Sequence, residues 1–191
     1  RRSEKQMKQG VRILALDDSG FSKNDKTARV LGIVAREDEI EGAVSFFVAV
    51  DGKDATEKII KAVKGSRFKS QIKIIALHSI LFAGLNIIDV LRIRKELGVE
   101  VIAITRKKPR KGALLGAFEA AKVAGMEWRK KVLKQIEDQT ASCRTMGFYV
   151  VCTKGISKVE AKSVAQRALP LLRLAHIIAS AVSSGESRGR L

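Results

Sequence analysis

The chain has 191 residues, of which 46% are apolar and only 5% are aromatic. This composition excludes an intrinsically disordered chain, and the length is enough for one aliphatic core. Lysine and arginine number 37 against 20 acids, a net charge of +17. A charge this positive predicts a polyanionic partner, in practice a nucleic acid.

The two cysteines, Cys143 and Cys152, stand at no zinc-ligand spacing and make no disulfide framework. We interpret both as small core or turn residues in a reducing compartment. No apolar run reaches the roughly 18 residues of a membrane span, and no secretory leader is recognisable. We therefore expect a cytoplasmic protein with no membrane partner.

A basic arm over residues 1–10 is expected to be flexible and to precede a single domain over residues 11–191. The domain opens with three β-patterned segments joined by short turns, which predicts an antiparallel meander. Helical and strand patterns then alternate. Strands are predicted over 11–17, 28–36, 43–50, 72–77, 99–105 and, as a short extra strand, 147–152; helices are predicted over 54–64, 86–97, 114–138, 157–168 and 170–184. Gly116 and Gly125 weaken the stretch over 114–138, so a break within it stays open.

Capping patterns support the helix starts. Asp54 followed by Glu57 is typical of a capping box, and Asn86 followed by Asp89 predicts the cap of the second helix. Pro170 predicts that a new or kinked helix begins there.

This order predicts a ribonuclease H-like α/β fold, a mixed five-stranded sheet with helices on both faces. A right-handed crossover places the fourth strand beside the first and parallel to it. Asp17 ends the first strand and His78 follows the fourth. Because the carboxyl ends of neighbouring parallel strands share one edge of a sheet, Asp17 and His78 should lie together in a crevice there.

Adjacent carboxylates at Asp17 and Asp18 attract a hard divalent cation such as Mg²⁺. Successive strand residues face opposite ways, so only one is expected at a given site, and Asp18 is a candidate for fixing the loop. An ordinary turn is the alternative. Asp51 and Asp54 are weaker metal-site candidates, because Asp51 precedes a turn glycine and Asp54 also suits a helix cap.

His78 and His176 are the two histidines in the chain. An imidazole binds transition metals or acts as a general base near neutral pH. His176 shares a stripe of the last helix with Arg173 and Ser180, which indicates a polar surrounding or a crevice. A merely hydrogen-bonded or exposed histidine is the alternative for both.

The densest charge follows the strand over 99–105 and should emerge at the same sheet edge as Asp17 and His78. Phosphate contact is its natural use, and a solvated loop is the alternative. Arg67, with Lys69, is expected to add to this edge. These candidate nucleic-acid-binding residues are Arg67, Arg106, Lys107, Lys108, Arg110 and Lys111.

A second basic group on the long helical stretch, Arg129, Lys130, Lys131 and Lys134, is interpreted as a solvated helix face. We find no zinc finger, helix-turn-helix or aromatic stacking platform, so base-specific readout is not expected.

Several segments resemble the archaeal domain-of-unknown-function-99 family over residues 13 to 190. They are LALDDSGF, VDGKDATEKI, SRFKSQIKIIAL, FAGLNIIDV, TRKKP, RLAHIIASAV and GESRGR. Endonuclease V is a more distant relative. The resemblance implies a metal-dependent endonuclease with Mg²⁺ or Mn²⁺, acting on DNA with a deaminated base; some members are described as acting on deoxyuridine-containing DNA.

In endonuclease V an acid on the first strand, an acid near the first helix and an acid ending the fourth strand hold Mg²⁺. By resemblance Asp17 matches the first acid, and Asp51 or Asp54 is the nearest equivalent of the second. His176 falls in an AHxxA segment resembling one that carries a site residue. This makes Asp17, Asp51, His78 and His176 candidate catalytic residues, and Asp17, Asp51, Asp54 and His78 candidate metal ligands.

The chain departs from the family pattern at two places. Leu77-His78-Ser79 stands where the family usually has Leu-Asp-Gly, and Leu169-Pro170-Leu171 stands where it has Pro-Glu-Pro. A neutral imidazole in place of the third acid removes one negative charge and favours softer ions such as Mn²⁺ over Mg²⁺.

Three functions therefore stay open. The first is an endonuclease with an altered metal site. The second is a nucleic-acid-binding protein whose site has lost catalysis. The third is an interaction partner whose basic surface is incidental.

Overall fold

The computed structural model describes residues 10–22, 24–106 and 112–187. Residues 1–9 of the predicted arm lie outside these ranges. The strands are β1 (Arg12–Asp18), β2 (Thr27–Arg36), β3 (Glu39–Ala49), β4 (Ile72–Leu77), β5 (Leu81–Phe82), β6 (Asn86–Ile87), β7 (Glu100–Thr105), β8 (Thr140–Thr145) and β9 (Phe148–Thr153). The helices are α1 (Ala55–Gly65), α2 (Val90–Leu97), α3 (Ala113–Ala120), α4 (Met126–Gln139) and α5 (Lys158–Ser184).

Seven strands form one mixed sheet in the order β3-β2-β1-β4-β7-β9-β8. β1 pairs antiparallel with β2 and parallel with β4, and β4 pairs parallel with β7. The predicted ribonuclease H-like order is confirmed for β1, β2, β3, β4 and β7. The sheet is wider than predicted because β9 and β8 extend it as an antiparallel hairpin. The pattern did not reveal β8, since its sequence TASCRT is polar and half exposed.

The register of β1 against β4 positions the end of both strands. Leu16 is the parallel partner of Leu77. The next residues along the two chains are Asp17 and His78, so both emerge at the carboxyl edge of the sheet. The other neighbour of Asp17 is Leu31 of β2.

Core residues cover both faces of the sheet, as expected for strands flanked by parallel neighbours. Leu14 and Leu16 of β1 belong to the cluster that includes α1, α2 and α4. Ile13 and Ala15 belong to the cluster on the α5 face. In the described part of the chain, none of the helices combines the length and the apolar character that crossing a membrane requires.

Two helix predictions are corrected, and one alternative that the sequence left open is decided. The stretch over 114–138 is broken into two helices, separated by a segment in which Lys122 and Gly125 have positive φ. No new helix begins at Pro170, because α5 continues through it. α2 is capped by Asp89, whose carboxylate accepts from the backbone N–H of Arg92 at 2.9 Å, so the predicted Asn86 cap is wrong.

The start of α5 has a capping box. Ser157 Oγ accepts from the backbone N–H of Glu160 at 3.2 Å, and Glu160 Oε2 accepts from the backbone N–H of Ser157 at 2.9 Å. Because α5 carries one side of the crevice, this cap helps to hold the site.

We expect Ser157→Ala to lower the free energy of unfolding by about 1 kcal/mol, since the N–H of residue 160 loses its acceptor. Chemical denaturation measures the change. Ser184→Ala, at the other end of α5, is the control for a lost hydroxyl. An S157A variant as stable as the native chain would contradict the assignment.

Candidate active site

Asp17 is the centre of the polar cluster at the carboxyl edge of the sheet. Its side chain is 1% exposed. Oδ1 accepts from the backbone N–H of Asp18 at 2.9 Å, while the buried Oδ2 has no hydrogen-bond partner. A buried carboxylate oxygen without a donor is costly, because burial removes its water without replacing it.

Two imidazoles flank the Asp17 carboxylate, as the topology predicts for His78. His78 Nδ1 lies 3.8 Å from Oδ1, and His176 Nδ1 lies 3.5 Å from Oδ2. These contacts are ion pairs when the rings are protonated and are too long for strong hydrogen bonds. The Asp17 carboxylate raises the pKa of His176 above its ordinary value, against a smaller opposing effect of burial.

The surroundings of His176 fix which nitrogen carries a hydrogen. Nδ1 lies 3.2 Å from the backbone carbonyl oxygen of Asp18. A carbonyl oxygen only accepts, so Nδ1 is the donor. The Nε2 atom is then free to take up or release a proton, since no described residue hydrogen-bonds to it.

Asp18 holds the loop that closes the crevice, one of the roles considered for it from the sequence. Its Oδ2 accepts from the backbone N–H of Ala83 at 2.6 Å. Burial, reinforced by the nearby Asp17 carboxylate, raises the pKa of Asp18 to about 7. The carboxyl group of Asp18 is therefore partly protonated near neutral pH.

Asp51 supports the same loop from the other side. Its backbone N–H donates to the carbonyl oxygen of Ala83 at 2.9 Å, and its Oδ1 accepts from the backbone N–H of Leu85 at 2.8 Å. The residue has φ of 52°, and a side chain on Gly84 would collide with its carboxylate. Asp51 therefore has a structural use, and its proposed metal role stays a prediction.

Asp54 is not the side-chain cap of α1, so the predicted capping box with Glu57 is wrong. Its Oδ1 accepts from Ala49 N at 3.1 Å and from Asn86 Nδ2 at 2.7 Å. Asn86 takes the capping role across the chain, because its Oδ1 accepts from Ala55 N at 3.1 Å. Over the described ranges, no hydrogen bond or ion pair joins Asp51 or Asp54 to Asp17.

Arg129 is a component of the site region that the sequence analysis missed. It was assigned to a solvated helix face, yet it is 0% exposed. Its guanidinium donates to the carbonyl oxygens of Asp51 at 2.7 Å, Gly52 at 2.8 Å and Leu85. The signal was present in the pattern, since Arg129 shares the buried face of α4 with Val132 and Ile136.

Arg129 is therefore a clamp between the turn at 51–52 and the turn at 82–86. Burial lowers its pKa from the ordinary arginine value, partly opposed by the charge of Asp51. Four carbonyl acceptors, including Ala124 O at 3.0 Å, compensate the loss of water around the guanidinium.

The basic candidates divide between two edges of the sheet. Arg106 is exposed and directly follows β7, at the edge of Asp17 and His78. Arg67 precedes β4 and donates to the carbonyl oxygen of Glu41 at 3.1 Å, so it lies at the opposite edge and its predicted placement beside the site is wrong. The predicted contacts at Lys107, Lys108, Arg110 and Lys111 fall outside the described residues.

The chemistry of the Asp17 carboxylate suits a divalent cation. No group of three or more histidine, cysteine and acidic side chains among the described residues is arranged to hold a metal. Oδ2 of Asp17, which has no hydrogen-bond partner, nevertheless offers one strong ligand. Mg²⁺ and Mn²⁺ sites with one or two carboxylates draw their remaining ligands from water and substrate phosphate.

Known relatives match nearly the whole chain. The family model described as Endonuclease dU matches residues 9–183. The chain belongs to the Endonuclease dU family. A UPF0215 protein of Pyrococcus horikoshii is 34% identical over 191 residues, covering 96% of this chain and 98% of its own, and one of Methanothermobacter thermautotrophicus is 33% identical over 194 residues, covering 97% and 94%.

Solved structures show that this Endonuclease dU family member shares its fold with endonuclease V. An Archaeoglobus fulgidus protein of unknown function superposes with a TM-score of 0.79 at 28% identity, covering 90% of this chain and 98% of its own. Endonuclease V of Ciona intestinalis, solved with inosine-containing DNA, superposes with a TM-score of 0.54 at 8% identity, covering 90% of this chain and 85% of its own. Human endonuclease V superposes with a TM-score of 0.53 at 11% identity, covering 87% of this chain and 81% of its own. The ribonuclease H-like fold is thereby confirmed.

We expect Arg129→Met to lower the free energy of unfolding by about 3–5 kcal/mol, because it leaves buried carbonyl oxygens without a donor. Lys131→Met, which removes an exposed charge from the same helix, should change it by less than about 0.5 kcal/mol. Denaturant unfolding of both variants measures the difference. Equal losses would contradict the clamp.

The raised pKa of Asp18 predicts a pH dependence of stability without divalent ions. Between the ordinary aspartate value and about 7, the folded protein holds a proton that the unfolded chain releases. Stability therefore falls as pH rises through this window, by up to roughly 1.4 kcal/mol per unit. Asp18→Asn keeps the acceptor for Ala83 N–H and should flatten the profile, measured by thermal unfolding in EDTA. An unchanged slope in D18N would place the titration elsewhere.

Proposed function

We propose that the protein is a divalent-metal-dependent endonuclease acting on DNA that carries a deaminated base such as deoxyuridine. The observation that carries the proposal is the buried Asp17 carboxylate. It has a free Oδ2, lies between two imidazoles and stands at the carboxyl edge of the sheet. Membership of the Endonuclease dU family supports the reaction class and the substrate.

The charge of the chain favours a nucleic-acid substrate. The net charge is +17, and exposed Arg106 lies at the same sheet edge as Asp17. Contacts from arginine and lysine to phosphate hold a backbone without reading its sequence. DNA would then enter along the edge where β1, β4 and β7 end.

Hydrolysis requires a proton acceptor and a proton donor on opposite sides of the phosphorus. His78 is partly exposed, at 37%, and suits the acceptor that takes a proton from the attacking water. Water oxygen bonds to phosphorus, and the bond from phosphorus to one sugar oxygen breaks. His176, whose pKa is raised by Asp17, suits the donor that protonates that leaving oxygen.

Asp17 would hold the metal ion through Oδ2, with Asp18 and the substrate phosphate near it. A bound Mn²⁺ or Mg²⁺ supplies Lewis-acid polarisation of the phosphate and a more acidic water. The remaining work belongs to the chain. The Asp17 carboxylate lies between both imidazoles, and Asp18 holds the turn at Ala83.

The alternative is a nucleic-acid-binding protein whose site has lost catalysis. The observation that favours it is His78, which replaces the third acid of the family pattern. One fewer carboxylate weakens the attraction for a hard cation. Both functions predict electrostatic DNA binding, and only the first predicts strand cleavage.

The test is cleavage of labelled DNA containing one deoxyuridine or deoxyinosine, with Mg²⁺ or Mn²⁺. We expect the native chain to cut, with greater activity in Mn²⁺, and Asp17→Asn to lose at least about 100-fold, as removal of one key electrostatic group does. Asparagine keeps the shape of the aspartate side chain, so the DNA affinity of D17N should stay within a few-fold of that of the native chain. An active D17N would sink the mechanism.

His78→Asp separates the two functions, because it restores the carboxylate that the family carries there. An inactive native chain with an active H78D would establish the binding protein. With about six phosphate contacts, log affinity should fall against log salt with a slope near −5. A flat salt response would reject electrostatic backbone binding and leave the basic surface incidental.

A further inference from the structure

A groove of about 530 Å³ opens beside the site, on the α5 face of the sheet, and the proposed reaction does not use it. It lies between the segment that follows β1, the edge pair β2 and β3, and the end of α5. Its walls include Ser19, Phe21, Arg29, Phe47, Val182 and Ser184.

Two aromatic rings in this groove are exposed although the chain has few aromatic residues. Phe47 is 48% exposed and Phe21 is 40% exposed. They are far apart in sequence, which is why no stacking platform was expected, and the fold brings both to one groove. Exposed aromatic rings beside a basic site provide the stacking surface that single-stranded nucleic-acid binders use.

Arg29 adds a cation to the same groove. It is the antiparallel partner of Phe47, and its guanidinium lies 4.4 Å from the centre of that ring. Nη1 donates to Ser45 Oγ at 3.2 Å. No carboxylate of the described residues pairs with Arg29, and the acid in the groove wall, Asp25, accepts from Ser22 N at 2.6 Å. The guanidinium therefore keeps its charge for a ligand.

The groove is continuous with the site through Ser19. Ser19 N donates to the carbonyl oxygen of Arg29 at 2.7 Å, and Ser19 Oγ accepts from Arg29 N at 3.2 Å. Ser19 follows Asp17 by two residues. The ring of Phe21 lies close to Gly84, in the turn that Asp18 and Asp51 hold. A strand whose phosphate reaches Asp17 would therefore pass beside the groove.

We infer that this groove binds an unpaired nucleotide of the substrate strand next to the linkage that is cut. Its base stacks on the exposed rings of Phe47 and Phe21, and its phosphate pairs with Arg29. The inference rests on the proposed function, since it places a second contact of the same nucleic acid. It predicts a preference for frayed or single-stranded DNA over intact duplex.

The test compares the binding of a short labelled single strand and a matched duplex, in EDTA, by fluorescence anisotropy. Phe47→Ala should weaken single-strand binding roughly tenfold, the loss typical of one stacked base, and leave duplex binding unchanged. Ile40→Ala is the matched control, because Ile40 is an exposed apolar residue of the same strand outside the groove. It should change neither affinity.

A 2-aminopurine placed along the single strand reports stacking directly. We expect its fluorescence to be quenched by the native chain at one position, to recover in F47A and to be quenched again in Phe47→Trp. Phe21→Ala provides a second variant that should also weaken single-strand binding. Both variants are checked by thermal unfolding before use.

Equal losses in F47A and I40A, or equal losses on single strand and duplex, would overturn the inference. So would a groove that captures an apolar peptide while single-strand affinity is unaltered in F47A. If the native chain cleaves DNA but the groove test fails in one of these ways, the proposed nuclease function is retained and only the groove inference is rejected. If F47A selectively loses affinity for the single strand and the native chain does not cleave DNA, the groove inference is retained and the nuclease function is rejected.

Discussion

The parallel pairing of β1 with β4 is the constraint on which the site depends. Once Leu16 is in register with Leu77, Asp17 and His78 emerge together at one edge of the sheet. α5 crosses the same edge and brings His176 to the other oxygen of Asp17. A slip of one residue would turn every side chain of β1 to the other face, and two packed core layers oppose that slip.

Buried backbone groups are the second organising feature. The turns at 51–52 and 82–86 carry backbone carbonyl oxygens and N–H groups that bond to side chains from other elements. Arg129 donates to the carbonyl oxygens, while Asp18 and Asp51 accept from the N–H groups. One arginine from α4 and two aspartates at strand ends thus hold these turns together.

The charge of the site distinguishes this chain from the usual pattern of its family. The Asp17 carboxylate is buried, the raised pKa of Asp18 reduces the negative charge of the second carboxyl group, and His78 supplies no third carboxylate. Such a site attracts a hard cation less than three carboxylates would and accommodates nitrogen donors better. In the same arrangement the Asp17 carboxylate raises the pKa of His176, which favours the protonated imidazole.

The sequence by itself determined the alternation of helices and strands, the order of β1, β2, β3, β4 and β7, and the proximity of Asp17 to His78. Those features follow from local hydrophobic period and from the handedness of crossovers, which act over neighbouring elements. Only the tertiary structure decided that Arg129 is buried, that Asn86 rather than Asp54 caps α1, that Arg67 lies at the far edge, and that Phe21 joins Phe47 in one groove. Each of these depends on a partner distant along the chain, and a local pattern carries no information about which distant atom will satisfy a buried polar group or share a surface.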